Sequence, residues 1–552
     1  MARRRGRAGG LAGAVTAASP RDGAPSDLIL HGGRVVTMDA AGTVAEAIAI
    51  RAGVVAMAGR AEDVLATAGS ATELIDLAGR TVVPGLIDSH THVELTAYCR
   101  HYWNDIRGRS VDEILDLVKS LAAATPPGKW LIFQGTFGQE LPGQAALDAA
   151  APEHPVAVRW SMHKFQLNTA GLAAASITRA TVPGPGIRVT KGPGGEPTGL
   201  IEEGWDLLRL APPEVSGLRA AMTETVRELF LRHGVTTINE IAASGNGLAA
   251  LRLMTAPGAG PGVPSFGVAL TAEPGHQALI RTADFATAGL GSGFGSPELS
   301  LRAVKIFVDG GRDGALRSAL MSGPAERWGL LTRAPQALTQ EVTRAVEAGQ
   351  AVWIHAIGDL AQEAAVTAIE TVALAYPGVA HRCRIEHFGN EMYAPARLDR
   401  LLAAGGIPAP NPSFITAEPD DPARRLPTGV VKYGLRSLLA AGAQPPGNSD
   451  TAGAQPFSAN PWYTISCMVN RENKNGLLID PDQALTVTEA LRSFTTAAAY
   501  ACGMESDRGV LEPGMRADLA VLSQDPFTVS ASRLSEVTSD LTLVGGAVAW
   551  RR

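Results

Sequence analysis

The sequence predicts an α/β fold: a closed (β/α)8 TIM barrel set into a small sheet domain built from both ends of the chain. Three observations carry this. Between residues 82 and 450, eight short apolar runs end in polar or ionisable residues and alternate with helix-like segments. Strand–turn–strand text without helix-length spacers occupies both Asp27–Leu77 and Gly509–Trp550. Of the 11 histidines, several fall at the ends of the apolar runs, the end on which such barrels carry function.

In order, Arg3-Arg4-Arg5 precedes a small-residue stretch, Gly9 to Ala18, whose larger apolar residues are Leu11 and Val15. A basic-then-apolar start is the pattern of an export signal, but Ala and Gly dominate, so residues 1–26 are read as a disordered tail. From Asp27, runs such as Leu28-Ile29-Leu30, Arg34 to Thr37, Ala47 to Ile50 and Val54 to Met57 are punctuated by Gly32-Gly33, Gly42 and Gly53, read as turns. Residues 27–82 and 508–552 together form the predicted sheet domain, and 83–507 the barrel inserted into it. The barrel strands are Val82 to Ile87, Val235 to Glu240, Phe266 to Leu270, Val304 to Asp309, Ala351 to His355, Cys383 to His387, Gly406 to Ala409, and Gln444 to Asp450. Helices are expected over Leu218–Arg232, Thr339–Gly349, Leu360–Ala375 and Pro395–Ala404. Two extra strand-like runs, Trp130 to Gln134 and Val156 to Trp160, fall in an insertion over roughly residues 96–215, expected to form a lid or pocket wall. A doubly wound sheet is the competing fold.

At 552 residues and 45% hydrophobic, the chain is long enough for a barrel plus a second domain. A net charge of −6 gives no reason to expect nucleic acid or an anionic membrane as partner. No apolar run is long enough to span a bilayer. Four scattered cysteines, with no CxxC pair, argue against a disulfide framework and a thiolate zinc site and fit a reducing, cytoplasmic compartment.

The chemistry begins at Asp88-Ser89-His90-Thr91-His92. Side chains alternate along a strand, so His90 and His92 face the same way. Neutral imidazoles side by side suit a divalent metal. Further ligand-type residues arrive at later strand ends: Lys305 in strand four, His355 after five, His387 after six and Asp450 after eight. Each alone has a plain structural alternative. His355 could be a satisfied buried histidine, His387 an ion pair with Glu386, Lys305 a partner for Asp309, and Asp450 a turn or helix-capping residue. As a set they are better explained by a metal centre.

The phrases Pro84 to His92, Val304 to Gly310, His355-Ala356-Ile357-Gly358-Asp359, Arg384-Ile385-Glu386-His387 and Ser449-Asp450, with the closing Gly514 to Leu519, resemble the amidohydrolase superfamily, and its family 3 branch of N-substituted formamide deformylase-like enzymes in particular. The resemblance covers nearly the whole chain from Asp27. It implies a metal-dependent hydrolase on a barrel with a composite β-sandwich formed by both termini. It implies that His90, His92, His355, His387 and Asp450 bind metal or serve the hydrolytic water. It also implies that Lys305 can be carboxylated and bridge two ions, leaving open one ion or two. His163 and Asn168 match a family histidine near the pocket and the asparagine that follows it. His163 is a candidate substrate or oxyanion contact, with a structural role as its alternative. Two places depart from the family: Gly311-Arg312-Asp313-Gly314 after strand four, and Asn239-Glu240 where strand two often ends His-Asp. Both bear on the substrate.

The expected reaction is cleavage of a non-peptide C–N bond in a small amide, formamide or cyclic amide by water activated on a divalent metal, with zinc the expected ion. Asp450 acts as proton shuttle, with His387 or His163 stabilising the oxyanion. The runner-up is a deaminase. Deaminases of this fold typically carry a glutamate three residues after the strand-five histidine, where this chain has Gly358 and then Asp359. A catalytically silent structural barrel is the remaining alternative. A small molecule is the expected partner, and a homodimer the candidate assembly.

Overall fold

In the computed structural model the described residues are 24–552, except 261, 275–278, 323–328, 380, 393, 421–428 and 454–457. The expected tail lies almost wholly outside them. A seven-stranded, all-parallel, curled sheet forms the centre. Its strands in chain order are β1 (Leu86–Thr91), β2 (Val235–Ile241), β3 (Ser265–Thr271), β4 (Leu299–Phe307), β5 (Ala351–His355), β6 (Arg384–Glu386) and β7 (Ile407–Ala409), and each pairs with the next. β2 and β5 are buried at every position, which is why they read as unbroken apolar runs rather than alternating ones. The helices that cover this sheet include Pro335–Glu347, Asp359–Ala375 and Pro395–Ala403. The first two pack Leu338, Val342, Val366 and Ile369 onto Val304, Ile306, Val352 and Ile354 of β4 and β5.

The expected eighth strand differs. Gln444–Asp450 is assigned no strand and lies outside the ladder; Pro445 and Pro446 have no N–H to donate to one. It still lies along β1: Ser89 N–H donates to the Gly447 carbonyl at 3.1 Å, and Asp450 N–H to the His90 carbonyl at 2.9 Å. On its other side the Asn448 side-chain amide donates to the Pro410 carbonyl, just past β7, at 2.8 Å.

A second sheet of eight strands draws on both ends of the chain. Thr81–Pro84 lies between Ser26–Val36, to which it is parallel, and Leu519–Leu522, to which it is antiparallel. Leu28, Leu30, Val35, Val82, Leu519, Val521 and Leu543 share one buried cluster. Gly32-Gly33 is not the turn expected. Ser26–Val36 runs through it as one strand with a shift in register between His31 and Val35. Gly32 has a φ of +72°, and a side chain at Gly33 would collide with the Arg80 carbonyl, so the pair makes a bulge.

The segment after β1 builds its own six-stranded sheet, including Leu131–Gln134, Val156–Arg159, Lys164–Leu167 and Pro197–Glu202. It has two hydrophobic clusters of its own, around Phe133 and Phe165. Asn168 caps the helix Thr169–Ala174 and bonds four backbone groups, so its role here is structural. All four cysteines are buried and unpaired. Among the described residues no helix is long and apolar enough to cross a membrane.

Candidate metal centre

His90 ends β1 and His92 follows it, both buried. Nδ1 of His92 lies 2.8 Å from the Ile241 carbonyl. A carbonyl only accepts, so the proton sits on Nδ1 and Nε2 carries a lone pair. Nδ1 of His90 lies 2.6 Å from Oε2 of Glu386, which likewise turns its Nε2 outward as a lone pair. Those two Nε2 atoms lie 3.4 and 3.2 Å from the same oxygen, Oδ1 of Asp450. Two lone pairs facing a carboxylate repel unless a cation stands between them. Burial lowers the pKa of His90, with Lys305 adding to it, which keeps that ring neutral. With both rings neutral, burial alone would favour a protonated Asp450; a cation between the three atoms would keep that carboxylate ionised. Among the described residues these three form the one group whose ligand atoms converge as a metal requires. The donor set fits a divalent ion.

The other expected ligands surround this group. The His387 ring is 5.9 Å from that of His90 and 4.5 Å from that of His355, centre to centre. His355 uses both nitrogens: Nε2 lies 3.2 Å from the Gly310 carbonyl and Nδ1 3.0 Å from Nε2 of His387. That leaves His387 Nδ1 buried with no partner. Burial lowers the pKa of His387 to about 3. Lys305 is 1% exposed, and its Nζ too has no hydrogen-bond partner. Burial lowers its pKa to about 8 against the pull of Glu386 and Asp450. The structural alternative, a Lys305–Asp309 pair, is not formed among the described residues. Two buried nitrogens with no hydrogen-bond partner beside three converging ligand atoms fit the same divalent ion.

The site is held by carboxylates. Glu386 pairs not with its neighbour His387 but with His90 and Arg384. Arg384 lies flat on Trp353, 3.5 Å from the ring centre, and donates to the Ser89 carbonyl at 2.7 Å. Asp88 binds the Ser449 amide at 3.1 Å and hydroxyl at 2.5 Å, tying β1 to the segment that carries Asp450. Burial raises the pKa of Asp88 to about 7. Asp309 accepts the amides of Leu316, Ile357 and Gly358 at 2.8–3.0 Å, fixing the loops after β4 and β5. His387 and Asp450 both adopt left-handed backbone, φ +72° and +43°. That conformation is uncommon for non-glycine residues and concentrates at functional sites.

His163, from the inserted sheet, has its ring centre 5.5 Å from that of His355. Its Nδ1 lies 2.8 Å from Oε2 of Glu203, whose other oxygen accepts the Gly311 amide at 2.7 Å. A side chain at Gly311 would strike the His163 ring at 2.6 Å, so glycine is required there. A cavity lined by His163, His387 and Asp450 shares Phe137, Arg312, Glu391, Glu418 and Lys432 with a wider cleft beyond. The departure from family wording at Arg312 therefore falls in the throat of the site.

Asp88, Asp309, Arg384 and Glu203 are absent from the sequence-based set. For Asp88 and Arg384 a signal exists: a charged residue inside an apolar strand must be paired. Glu203 carries no such signal, since only the fold brings it to His163.

Residues 73–549 match the amidohydrolase family. N-substituted formamide deformylase of Arthrobacter pascens is 27% identical over 544 residues, covering 95% of this chain and 98% of that protein. Protein LONG AFTER FAR-RED 3 of Arabidopsis thaliana is 29% identical over 562 residues, covering 96% and 92%. The crystal structure of an uncharacterized metal-dependent hydrolase from Pyrococcus horikoshii OT3 superposes with a TM-score of 0.71 at 25% identity, over 92% of this chain and 99% of that one.

Proposed function

We propose, from the premise that this chain belongs to the amidohydrolase family and is a metal-dependent hydrolase, that it cleaves a non-peptide C–N bond in a small amide, formamide or cyclic amide. The observation that carries the reading is the convergence of His90 Nε2, His92 Nε2 and Asp450 Oδ1 on one buried point. The similarity to a formamide deformylase over 95% of the chain supports the choice of bond.

His90, His92 and Asp450 would hold a divalent ion, zinc in our reading, with His355, His387 and Lys305, carboxylated or not, as further ligands for one ion or two. Such an ion would supply a Lewis acid that acidifies water and polarises a carbonyl. Asp450, ionised at neutral pH, takes the proton from water and returns it to the leaving nitrogen. His387 and His163 are the groups placed to hydrogen-bond the developing oxyanion. Glu386 and Ile241 fix the two imidazoles by their far nitrogens, so that neither turns away.

The same reading takes Gln444–Asp450 as the eighth stave of a closed barrel over 83–507. It takes residues 27–82 with 508–552 as a composite β-sandwich, and 96–215 as the insertion that shapes the pocket. It places the enzyme in the cytoplasm, acting on a small molecule, as a homodimer.

The test is to strip the protein with a chelator, verify by elemental analysis, and reload with Zn²⁺ or Mn²⁺ against a panel of formamides, amides and cyclic ureas. Loss and recovery of amide cleavage is expected. Full activity in metal-free protein would falsify the reading. Ammonia released from an aminopurine, with no amide cleaved, moves the assignment to a deaminase.

A further inference from the structure

The cavity bordered by His387 and Asp450 has a volume of about 50 Å³. Five apolar side chains, Phe137, Ile357, Phe414, Ala417 and Tyr433, make up much of its described wall. Tyr433 is buried and the other four are half-buried. Phe137 is held from both sides: its ring stacks on Trp160, 4.4 Å between centres, and the Arg312 guanidinium lies 5.6 Å from its centre. Phe414 sits in the short helical turn Pro412–Ala417 that follows β7. Its ring lies 6.2 Å from that of His387, the planes inclined by 24°. Of the two phenyl rings, it is the one set against a proposed metal ligand.

The charged and amide side chains around this chamber are engaged with one another. Glu418 accepts from Arg312 at 3.2 Å, from Lys432 at 3.3 Å and from the Tyr433 hydroxyl at 2.8 Å. Glu391 accepts from two nitrogens of Arg317 at 3.1 Å and from Lys432 at 3.3 Å. The side-chain oxygen of Asn390 accepts the Asn411 amide at 2.8 Å. A charged group entering the chamber would have to break one of these pairs or lie desolvated against aromatic rings, and both are costly. An apolar group gains burial there without breaking anything.

We infer that this chamber receives a small, uncharged, apolar substituent of the scissile amide, and that Phe414 sets the size of the substituent admitted. One water needs about 10–15 Å³ of such space, so 50 Å³ takes about four non-hydrogen atoms: an isopropyl group, but not a cyclohexyl ring. Because His387 and Asp450 border the same chamber, the substituent is attached directly to the reacting amide. This inference rests on the proposed amide hydrolysis and narrows it. It makes Phe414 a specificity-determining residue.

The experiment compares metal-loaded wild type with Phe414→Ala and Phe414→Leu, after checking melting temperature and metal content. Two amide series are used, one varied on the acyl carbon and one on the nitrogen, each with isopropyl, cyclohexyl and carboxymethyl members. The readout is the ratio of kcat/KM for the cyclohexyl member to that for the isopropyl member. Wild type should favour isopropyl over both other members in one series, which assigns the side of the amide that enters the chamber. In that series the ratio should rise about 10- to 100-fold in Phe414→Ala, the scale on which an apolar pocket discriminates by size, and less in Phe414→Leu. A ratio that Phe414→Ala leaves unchanged in both series, or a wild type that prefers the cyclohexyl or the charged member in both, overturns the proposal.

If no amide is turned over, the function reading has failed, and calorimetry still decides this one. Isobutyrohydroxamate and cyclohexanecarbohydroxamate carry the same metal-binding group on a small and a large apolar substituent. Zinc-loaded wild type should bind the first more tightly, and Phe414→Ala should narrow that difference by about 10-fold or more. The same difference in both proteins, or no binding of either compound, overturns the size filter.

Discussion

The backbone N–H of Asp450 donates to the carbonyl of His90 at 2.9 Å. The proposed base and the proposed ligand thus come from two segments bonded to each other, more than 350 residues apart in sequence. Asp88 adds a second tie through Ser449. The distance between the Asp450 carboxylate and both imidazoles is set by the backbone, and side-chain exchange at 450 should leave it in place.

Asp450→Asn should therefore keep the fold and most of the metal, while turnover falls by about 10²- to 10⁴-fold, the usual worth of general acid–base catalysis. His92→Ala should lose metal together with rate. Turnover and metal content measured on both variants check this. Near wild-type turnover in Asp450→Asn would pass the proton to His387 or Glu240.

Glu386→Gln should weaken the site from behind. It keeps the shape but removes the charge that orients His90 and balances buried Arg384. Metal affinity, read by competition with a chromogenic chelator, should drop by about 10- to 100-fold. The stranded guanidinium should also lower stability by about 3–5 kcal/mol. An unchanged affinity would show that His90 is held by its packing alone.

His163→Ala should lower kcat by about 10²-fold if the ring hydrogen-bonds the oxyanion, with metal content retained. Glu203→Gln should give part of the same loss, since Glu203 fixes the ring through Nδ1. A lowered melting temperature with unchanged turnover assigns His163 to packing under Gly311.

The throat predicts an acid limb of stability. Burial raises the Glu391 carboxyl, but Arg317, bonded through two nitrogens at 3.1 Å, and Lys432 at 3.3 Å outweigh it and bring its pKa from 4.5 down to about 2. A depressed folded-state pKa stabilises above the unfolded value. That contribution is complete above about pH 4.5 and is lost as the pH falls toward 2. It is on the order of 3 kcal/mol. The difference in melting temperature between wild type and Glu391→Gln should be constant above pH 5 and shrink below it. A difference that does not change with pH would mean that Glu391 stabilises by shape and not by charge.

What could be read from sequence followed periodicity. The buried strands β1 to β6 stood out because continuous apolar runs between helical spacers admit few other readings. His90, His92 and Asp450 stood out because ligand types at strand ends are rare. Legibility stopped where contacts depend on register or on distant chain. Pro445-Pro446 reads as part of a strand from its position in the repeat, but two consecutive residues without N–H groups leave this stretch short of donors for a ladder. Gly32-Gly33 was read as a turn because a bulge and a turn use the same residues. The alternative pairing of Glu386 with its sequence neighbour fails because alternation along the strand sends it to the opposite face from His387 and onto His90. Arg159 carries no signal in sequence, because an arginine at the end of a short strand looks like a surface residue until the fold stacks it against Trp103 and Trp205.

The mixed sheet has a consequence for how the molecule is made. Thr81–Pro84 lies between a strand that precedes it and Leu519–Leu522, which follows roughly 430 residues later. At ribosomal speeds of about 5–20 residues per second, its open edge waits roughly 20–90 s for that partner. During this interval the nascent chain offers an unpaired apolar strand, a few residues before His90 and His92. Biogenesis of this protein is therefore a problem of keeping one edge shielded until translation is nearly finished. Truncation of even the last few dozen residues should send the chain to aggregation.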